Sequence, residues 1–245
     1  MFSRTASASP ASHPHLVSFS DPQSFEAEQY RRLRHRIETQ SATRTLQIIA
    51  VTSAVVSDGK TLTSVNLAGA FARRRDAKVL LIDADLRRPS VGPRLGMETE
   101  GGGFVAALED TSRPLSAFVQ QVPGTSLSVV LGGTECPETY ELLTAPRLSA
   151  VLTEARGLYD YVIVDTPPTI PVPDSGLMRS VVDGYVLVVG ARSTPRKLVG
   201  EALGMLDPLL VIGLVFNRDE QPLFGFYQRH YRHYFNSYVR SVREQ

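Results

Sequence analysis

With 245 residues, 42% of them hydrophobic, the chain has the apolar material for one large α/β core or two small ones. A formal net charge of +1 provides no global field to draw in nucleic acid or a membrane surface. Cys136 is the sole cysteine, which excludes an internal disulfide, and no apolar run approaches the roughly 18–20 residues that span a bilayer.

The N-terminus lacks the basic-then-apolar order of a secretory signal, so a soluble cytoplasmic protein is expected. Residues 1–22 are rich in Ser, Ala, Pro and His, and their composition predicts a disordered arm. Residues 24–39 read as a helix, with Ser24 as N-cap and an apolar stripe of Phe25, Tyr30, Leu33 and Ile37. Glu28, Arg31 and Arg34 lie at spacings of three on another face. By spacing alone that face is an ordinary solvated one.

Leu46 to Val51 is an apolar, β-branched run and predicts a strand buried on both faces. It leads through Ala54-Val55-Val56-Ser57-Asp58 into Gly59-Lys60-Thr61, and then into a helix predicted over Leu62 to Arg75. Strand, loop, Gly-Lys-Thr, helix is the context of a phosphate-binding loop. Backbone N–H groups over Ser57, Asp58, Gly59, Lys60, Thr61 and Leu62 would converge on one anion, helped by the helix dipole. Lys60 would add a point charge on the outer phosphates, and Thr61 a hydroxyl for Mg²⁺.

The next strand, Val79 to Ile82, delivers Asp83 and Asp85 at its carboxyl end. Ligands of open parallel sheets bind at that end of the strands. Both acids could hold Mg²⁺, directly or through water, or accept a proton from an attacking hydroxyl. Residues 91–125 are punctuated by Gly and Pro, with a short helix near Phe104–Glu109. Strands are predicted over 126–133, 159–168, 183–191 and 209–218, with helices over Pro146–Arg156 and Arg196–Leu206. The strand over 159–168 again ends in an acid, Asp165. Cys136 sits in a polar loop with no obvious partner. The alternation predicts an α/β fold with a doubly wound, mostly parallel sheet and helices on both faces.

Beyond the last strand, Tyr227, Tyr231, Tyr234 and Tyr238 recur at steps of four, three and four. Helix spacing allows an amphipathic terminal helix packed on the core. The interspersed Arg229, Arg232, Arg240 and Arg243 suit a mobile tail instead. Four phosphates there would add roughly −6 to −8 of charge, at about −1.5 to −2 each.

The order Gly59-Lys60-Thr61, Asp83/Asp85, Asp165 is that of P-loop nucleotide hydrolases. The chain resembles the MinD/ParA-like P-loop ATPases and, more closely, the bacterial tyrosine kinases of capsule and exopolysaccharide synthesis. In that family AVVSDGKT corresponds to Walker A, LLIDADLRR to the acidic motif called Walker A′, and VIVDTPP to Walker B. Glu28, Arg31 and Arg34 match its E-x-x-R-x-x-R oligomerisation motif, and the spaced tyrosines stand where its tyrosine-rich tail lies. The similarity covers roughly residues 24–245. One departure is plain: the family's loop carries a Pro-Gly-acid-Gly run, and here Val56-Ser57-Asp58-Gly59 stands in its place. Ser57 lacks glycine's freedom at positive φ, so a slightly reshaped loop is expected.

The resemblance implies an ATP- and Mg²⁺-dependent protein-tyrosine autokinase. Lys60 would stabilise the transferring phosphoryl group, while Thr61, Asp83 and Asp165 would position Mg²⁺. Asp83 or Asp85 would be the base toward a tyrosine hydroxyl, and Asn217 would touch the nucleotide base or serve as a turn residue. The tail tyrosines would be phosphorylated in trans within a homo-oligomer. The partners implied are a membrane polysaccharide co-polymerase that activates in trans and recruits the protein to the inner face of the plasma membrane, and a tyrosine phosphatase. No nucleic-acid role is expected. Two other readings stay open: a MinD/ParA-like ATPase switch without kinase activity, and a nucleotide-binding scaffold in polysaccharide export. The predicted organisation is an arm over 1–22, a P-loop domain over 23–220 and a tail over 221–245.

Overall fold

A computed structural model of the chain describes residues 13–144, 146–170 and 178–219. The tail tyrosines Tyr227, Tyr231, Tyr234 and Tyr238 lie outside the described residues. Four apolar runs become wholly or almost wholly buried strands: β1 (Ile48–Ser53), β2 (Val79–Asp83), β5 (Tyr161–Asp165) and β6 (Gly184–Gly190). Two shorter strands, β3 (Gln120–Gln121) and β4 (Leu127–Val130), lie between β2 and β5 in the chain, and β7 (Val211–Asn217) ends the described region.

The seven strands form one sheet in the order β3-β4-β2-β5-β1-β6-β7. All neighbours are parallel except β3, which runs antiparallel to β4. This is the predicted doubly wound α/β architecture, with one short antiparallel edge added. The side-chain period of two sends alternate residues to opposite faces. Ile48, Ala50, Leu80 and Ile82 join one core with Phe104, Leu108, Leu148 and Val151, from helices α5 (Gly103–Glu109) and α7 (Pro146–Leu158). Ile49, Val51 and Leu81 join the other with Val65 and Phe71 from α3 (Lys60–Ala72) and Ile37 from α2 (Phe25–Ser41). Ser24 caps α2, its hydroxyl accepting from the Ala27 N–H at 3.1 Å. A smaller cluster joins Leu187 and Val189 to Ala202 of α8 (Arg196–Met205).

The arm is corrected over its described part. Residues 13–22 are not a disordered arm: they contain helix α1 (Val17–Ser20) and dock on α3. Leu16 is fully buried, and Phe19 lies over Gly69. The Ser18 N–H donates to Asn66 Oδ1 at 3.0 Å, the Ser18 hydroxyl to the Asn66 carbonyl at 2.8 Å, and Asn66 Nδ2 to the His15 carbonyl at 3.0 Å. Ordering entropy is offset here by tertiary contacts that composition cannot anticipate. Two further short helices, α4 (Val91–Leu95) and α6 (Thr139–Thr144), arise in stretches with no helical periodicity.

The register decides what meets at the carboxyl edge. Asp83 is the pairing partner of Asp165, and Asp165 is in turn paired with Val51 of β1, two residues before that strand ends. Both acids therefore emerge beside the loop that follows β1.

Candidate active site

The loop from β1 to α3 closes through two residues with positive φ, Ser57 at 71° and Gly59 at 94°. At Gly59 a Cβ would stand 1.9 Å from Asn217 Nδ2, so a side chain there would displace Asn217 as well as strain the backbone at its positive φ. Ser57 adopts the left-handed conformation even though it is not glycine, so the loop keeps the backbone that its sequence only partly favours. Asp58 is 3% exposed and turns its carboxylate into the loop: Oδ1 accepts from the Thr194 hydroxyl at 2.5 Å and Oδ2 from the Val55 N–H at 3.3 Å. Asn217 Nδ2 donates to the Asp58 carbonyl at 2.8 Å. Asn217 thus braces the loop.

Lys60 and Thr61 open α3 and are both buried. The Lys60 ammonium lies 2.6 Å from Asp85 Oδ2 and 3.5 Å from Asp165 Oδ2. Burial works against this cation, but the attraction of Asp165 and Asp85 outweighs it and holds the ammonium above its usual range. Thr61 Oγ1 donates to Asp165 Oδ2 at 2.7 Å and lies 3.0 Å from the Ser90 hydroxyl. Ser64, one helical turn on, donates to Asp165 Oδ1 at 2.8 Å. Burial raises the Asp165 carboxyl, with Lys60 and the two hydroxyls pulling the other way.

Asp83 is fully buried, and its Oδ2 accepts from the N–H groups of Ser90 and Val91, each at 2.9 Å. Its Oδ1 is buried without a hydrogen-bond partner. Burial, followed by the neighbouring Asp165 charge, pushes Asp83 up to about 7. An orphaned carboxylate oxygen next to a threonine hydroxyl and two further acids is a donor set for a hard cation. Among the described residues no group of three or more His, Cys, Asp or Glu could hold a metal by itself. Asp83 Oδ1, Thr61 Oγ1 and Asp165 are oxygen donors of the kind that share Mg²⁺ with phosphate oxygens and water.

The predicted residues Lys60, Thr61, Asp83, Asp85 and Asp165 come together. Ser57, Asp58, Gly59 and Asn217 form the adjoining loop wall, and Leu62 follows on α3. Ser64, Ser90 and Thr194 are additional site residues. Only Ser64 left a trace in the sequence, being three positions after Thr61 and hence on the same helix face.

The E-x-x-R-x-x-R residues lie elsewhere, on α2. Arg31 pairs with Glu28 at 2.7 Å and also donates to the Pro22 carbonyl. Arg34 reaches across to α3, donating to the Ala70 carbonyl at 2.7 Å. These side chains are bonded within the chain and are more than a bare solvated face. No helix among the described residues is long and apolar enough to cross a membrane.

A family model described as ParA, an iron-transfer P-loop NTPase of the NUBPL kind, matches residues 44–219. Tyrosine-protein kinase YwqD of Bacillus subtilis is 36% identical over 187 residues, covering 76% of this chain and 78% of that protein. The succinoglycan biosynthesis transport protein ExoP of Rhizobium meliloti is 28% identical over 228 residues, 89% of this chain but only 28% of that longer protein. The solved kinase domain of the Escherichia coli tyrosine kinase ETK superposes with a TM-score of 0.77 at 29% identity, over 82% of this chain and 79% of that one. Nucleotide binding goes with membership of the P-loop family. The chain belongs to the ParA-like P-loop nucleotide hydrolases and, within them, to the bacterial protein-tyrosine kinases.

Proposed function

We propose that the protein is an ATP- and Mg²⁺-dependent autokinase that phosphorylates Tyr227, Tyr231, Tyr234 and Tyr238 in trans within a homo-oligomer, and so regulates capsule or exopolysaccharide export. The observation that supports this best is the contact of Lys60 with Asp85 and Asp165 at the mouth of the loop after β1. A phosphate entering there would replace the acids as partner of the ammonium. Lys60 and the loop amides would then neutralise charge on the transferring phosphoryl group.

Thr61, Asp165 and Asp83 would hold Mg²⁺, which supplies charge neutralisation and alignment of the phosphates when bound. Asp83 and Asp85 are the two candidates for accepting the tyrosine proton. Asp83 has one buried oxygen without a partner, and that oxygen is open to the tyrosine proton where the cation does not take it. Asp85, bonded to Lys60, would position that lysine.

The similarity to ExoP, a succinoglycan biosynthesis transport protein, supports the polysaccharide context. A membrane co-polymerase acting in trans would recruit and activate the kinase at the inner face of the plasma membrane, and a tyrosine phosphatase would reset the tail. The ParA match favours a second reading, an ATPase switch that does not phosphorylate protein. Intact mass after incubation with Mg-ATP and a candidate activator tail separates the two. Stepwise gains of phosphate, mapped to the tail and absent from Lys60→Met, are expected of the kinase. ATP turnover with no mass gain would favour the switch.

A further inference from the structure

The phosphate loop contains a residue out of place and a contact that compensates for it. Ser57 sits at φ 71°, where a residue with a Cβ is disfavoured and glycine is not. The next residue, Asp58, is held from three directions. Thr194, in the turn between β6 and α8, donates its hydroxyl to Asp58 Oδ1 at 2.5 Å. The Val55 N–H donates to Oδ2 at 3.3 Å, and Asn217 at the end of β7 donates to the carbonyl at 2.8 Å. The fit is close on the sheet side too, since a Cβ on Gly190 would stand 2.8 Å from Asp58 Oδ1. Asp58 is 3% exposed, so a broken contact would leave a buried carboxylate short of a donor.

We propose that Thr194 is a positioning residue for nucleotide binding: through Asp58 it holds the phosphate loop in the conformation that places Ser57 in the left-handed region. The inference rests on the loop being the nucleotide site. Thr194 does not bond the anion. It opposes the tendency of Ser57 to return to negative φ, a movement that would turn the following amides out of the cradle. With glycine at 57 that tendency disappears, and so does the need for Thr194. The two positions should therefore be coupled, and a merely structural contact would not be.

The test is equilibrium titration with a fluorescent ATP analogue in Mg²⁺, across wild type, Thr194→Val, Thr194→Ser, Ser57→Gly and the Thr194→Val/Ser57→Gly double variant. Thr194→Val should bind roughly tenfold more weakly, the ratio that corresponds to the left-handed penalty of a non-glycine residue. Thr194→Ser keeps the hydroxyl and should stay near wild type. The double variant should recover to within about threefold of wild type. Equal affinity of Thr194→Val and wild type would overturn the proposal alone, as would a double variant no tighter than Thr194→Val. Absence of binding by the wild type would overturn the nucleotide reading and this proposal with it.

Discussion

Asp83 and Asp165 are register partners on adjacent parallel strands, and both are 0% exposed. The sheet thus places two carboxylates side by side where water cannot screen them. Lys60, the hydroxyls of Thr61 and Ser64, and the N–H groups of Ser90 and Val91 answer most of that charge. Asp83 Oδ1 is left over. Such a site is held at some expense to the free protein, as sites that must receive a cation and an anion commonly are.

The expense has a pH signature. Asp83 is pushed from the ordinary 3.8 up to about 7, chiefly by burial and then by Asp165. Between those values the folded protein binds more protons than the unfolded chain. Stability of the nucleotide-free protein therefore falls as pH rises through that window and levels off above it. Asp83→Asn removes the penalty, by at most about 4 kcal/mol. Its Tm should exceed that of wild type at pH 8, with the gap narrowing toward pH 5. In the same variant phosphoryl transfer should fall by roughly 10²-fold or more if Asp83 takes the tyrosine proton. A Tm gap equal at both pH values would contradict the burial argument.

The docked N-terminal segment should contribute measurably to stability. Leu16 is fully enclosed in the core that contains α3, so Leu16→Ala should cost about 2–4 kcal/mol in urea unfolding. Asn66→Ala, which strands the Ser18 N–H, should cost about 1–3 kcal/mol. Values near zero for both would restore the picture of an arm that contributes nothing.

Reversing charge on the α2 face tests assembly. Arg31 is about a third exposed and bonds Glu28 within α2 and the Pro22 carbonyl just before it, whereas Arg34 is more buried and ties α2 to α3. Arg31→Glu is therefore the variant that should lower oligomer mass in light scattering without a large loss of stability. Arg34→Glu should lower both. An unchanged mass in Arg31→Glu would make this face an internal brace only.

The extent to which these features were readable depends on their range. Lys60, Asp83, Asp85 and Asp165 each follow an apolar run, so strand ends pointed to them, and a parallel sheet brings strand ends together. Ser64, Ser90 and Thr194 have no such marker. Thr194 meets a residue 136 positions away, and only the packing of β6 beside β1 makes that contact. Leu16, Val17 and Phe19 are apolar, but they stand between runs rich in Ser, Pro and His and are too few to establish a helical period. The last strand misleads in the opposite sense. Its apolar run resembles the others, yet β7 is an edge strand and Phe216 is 66% exposed. A continuous apolar run establishes a strand and leaves its place in the sheet undetermined.

The central claim is that the cluster around Lys60 transfers phosphate from ATP to the chain's own tyrosines. It is tested most directly by phosphotyrosine mapping after incubation with Mg-ATP and an activating tail, in wild type, Lys60→Met, and a variant with all four tail tyrosines changed to Phe. Phosphate is expected on Tyr227, Tyr231, Tyr234 and Tyr238 in the wild type, none in Lys60→Met, and none in the four-Phe variant despite retained nucleotide binding. ATP hydrolysis by the wild type with no phosphotyrosine anywhere in the chain would contradict it.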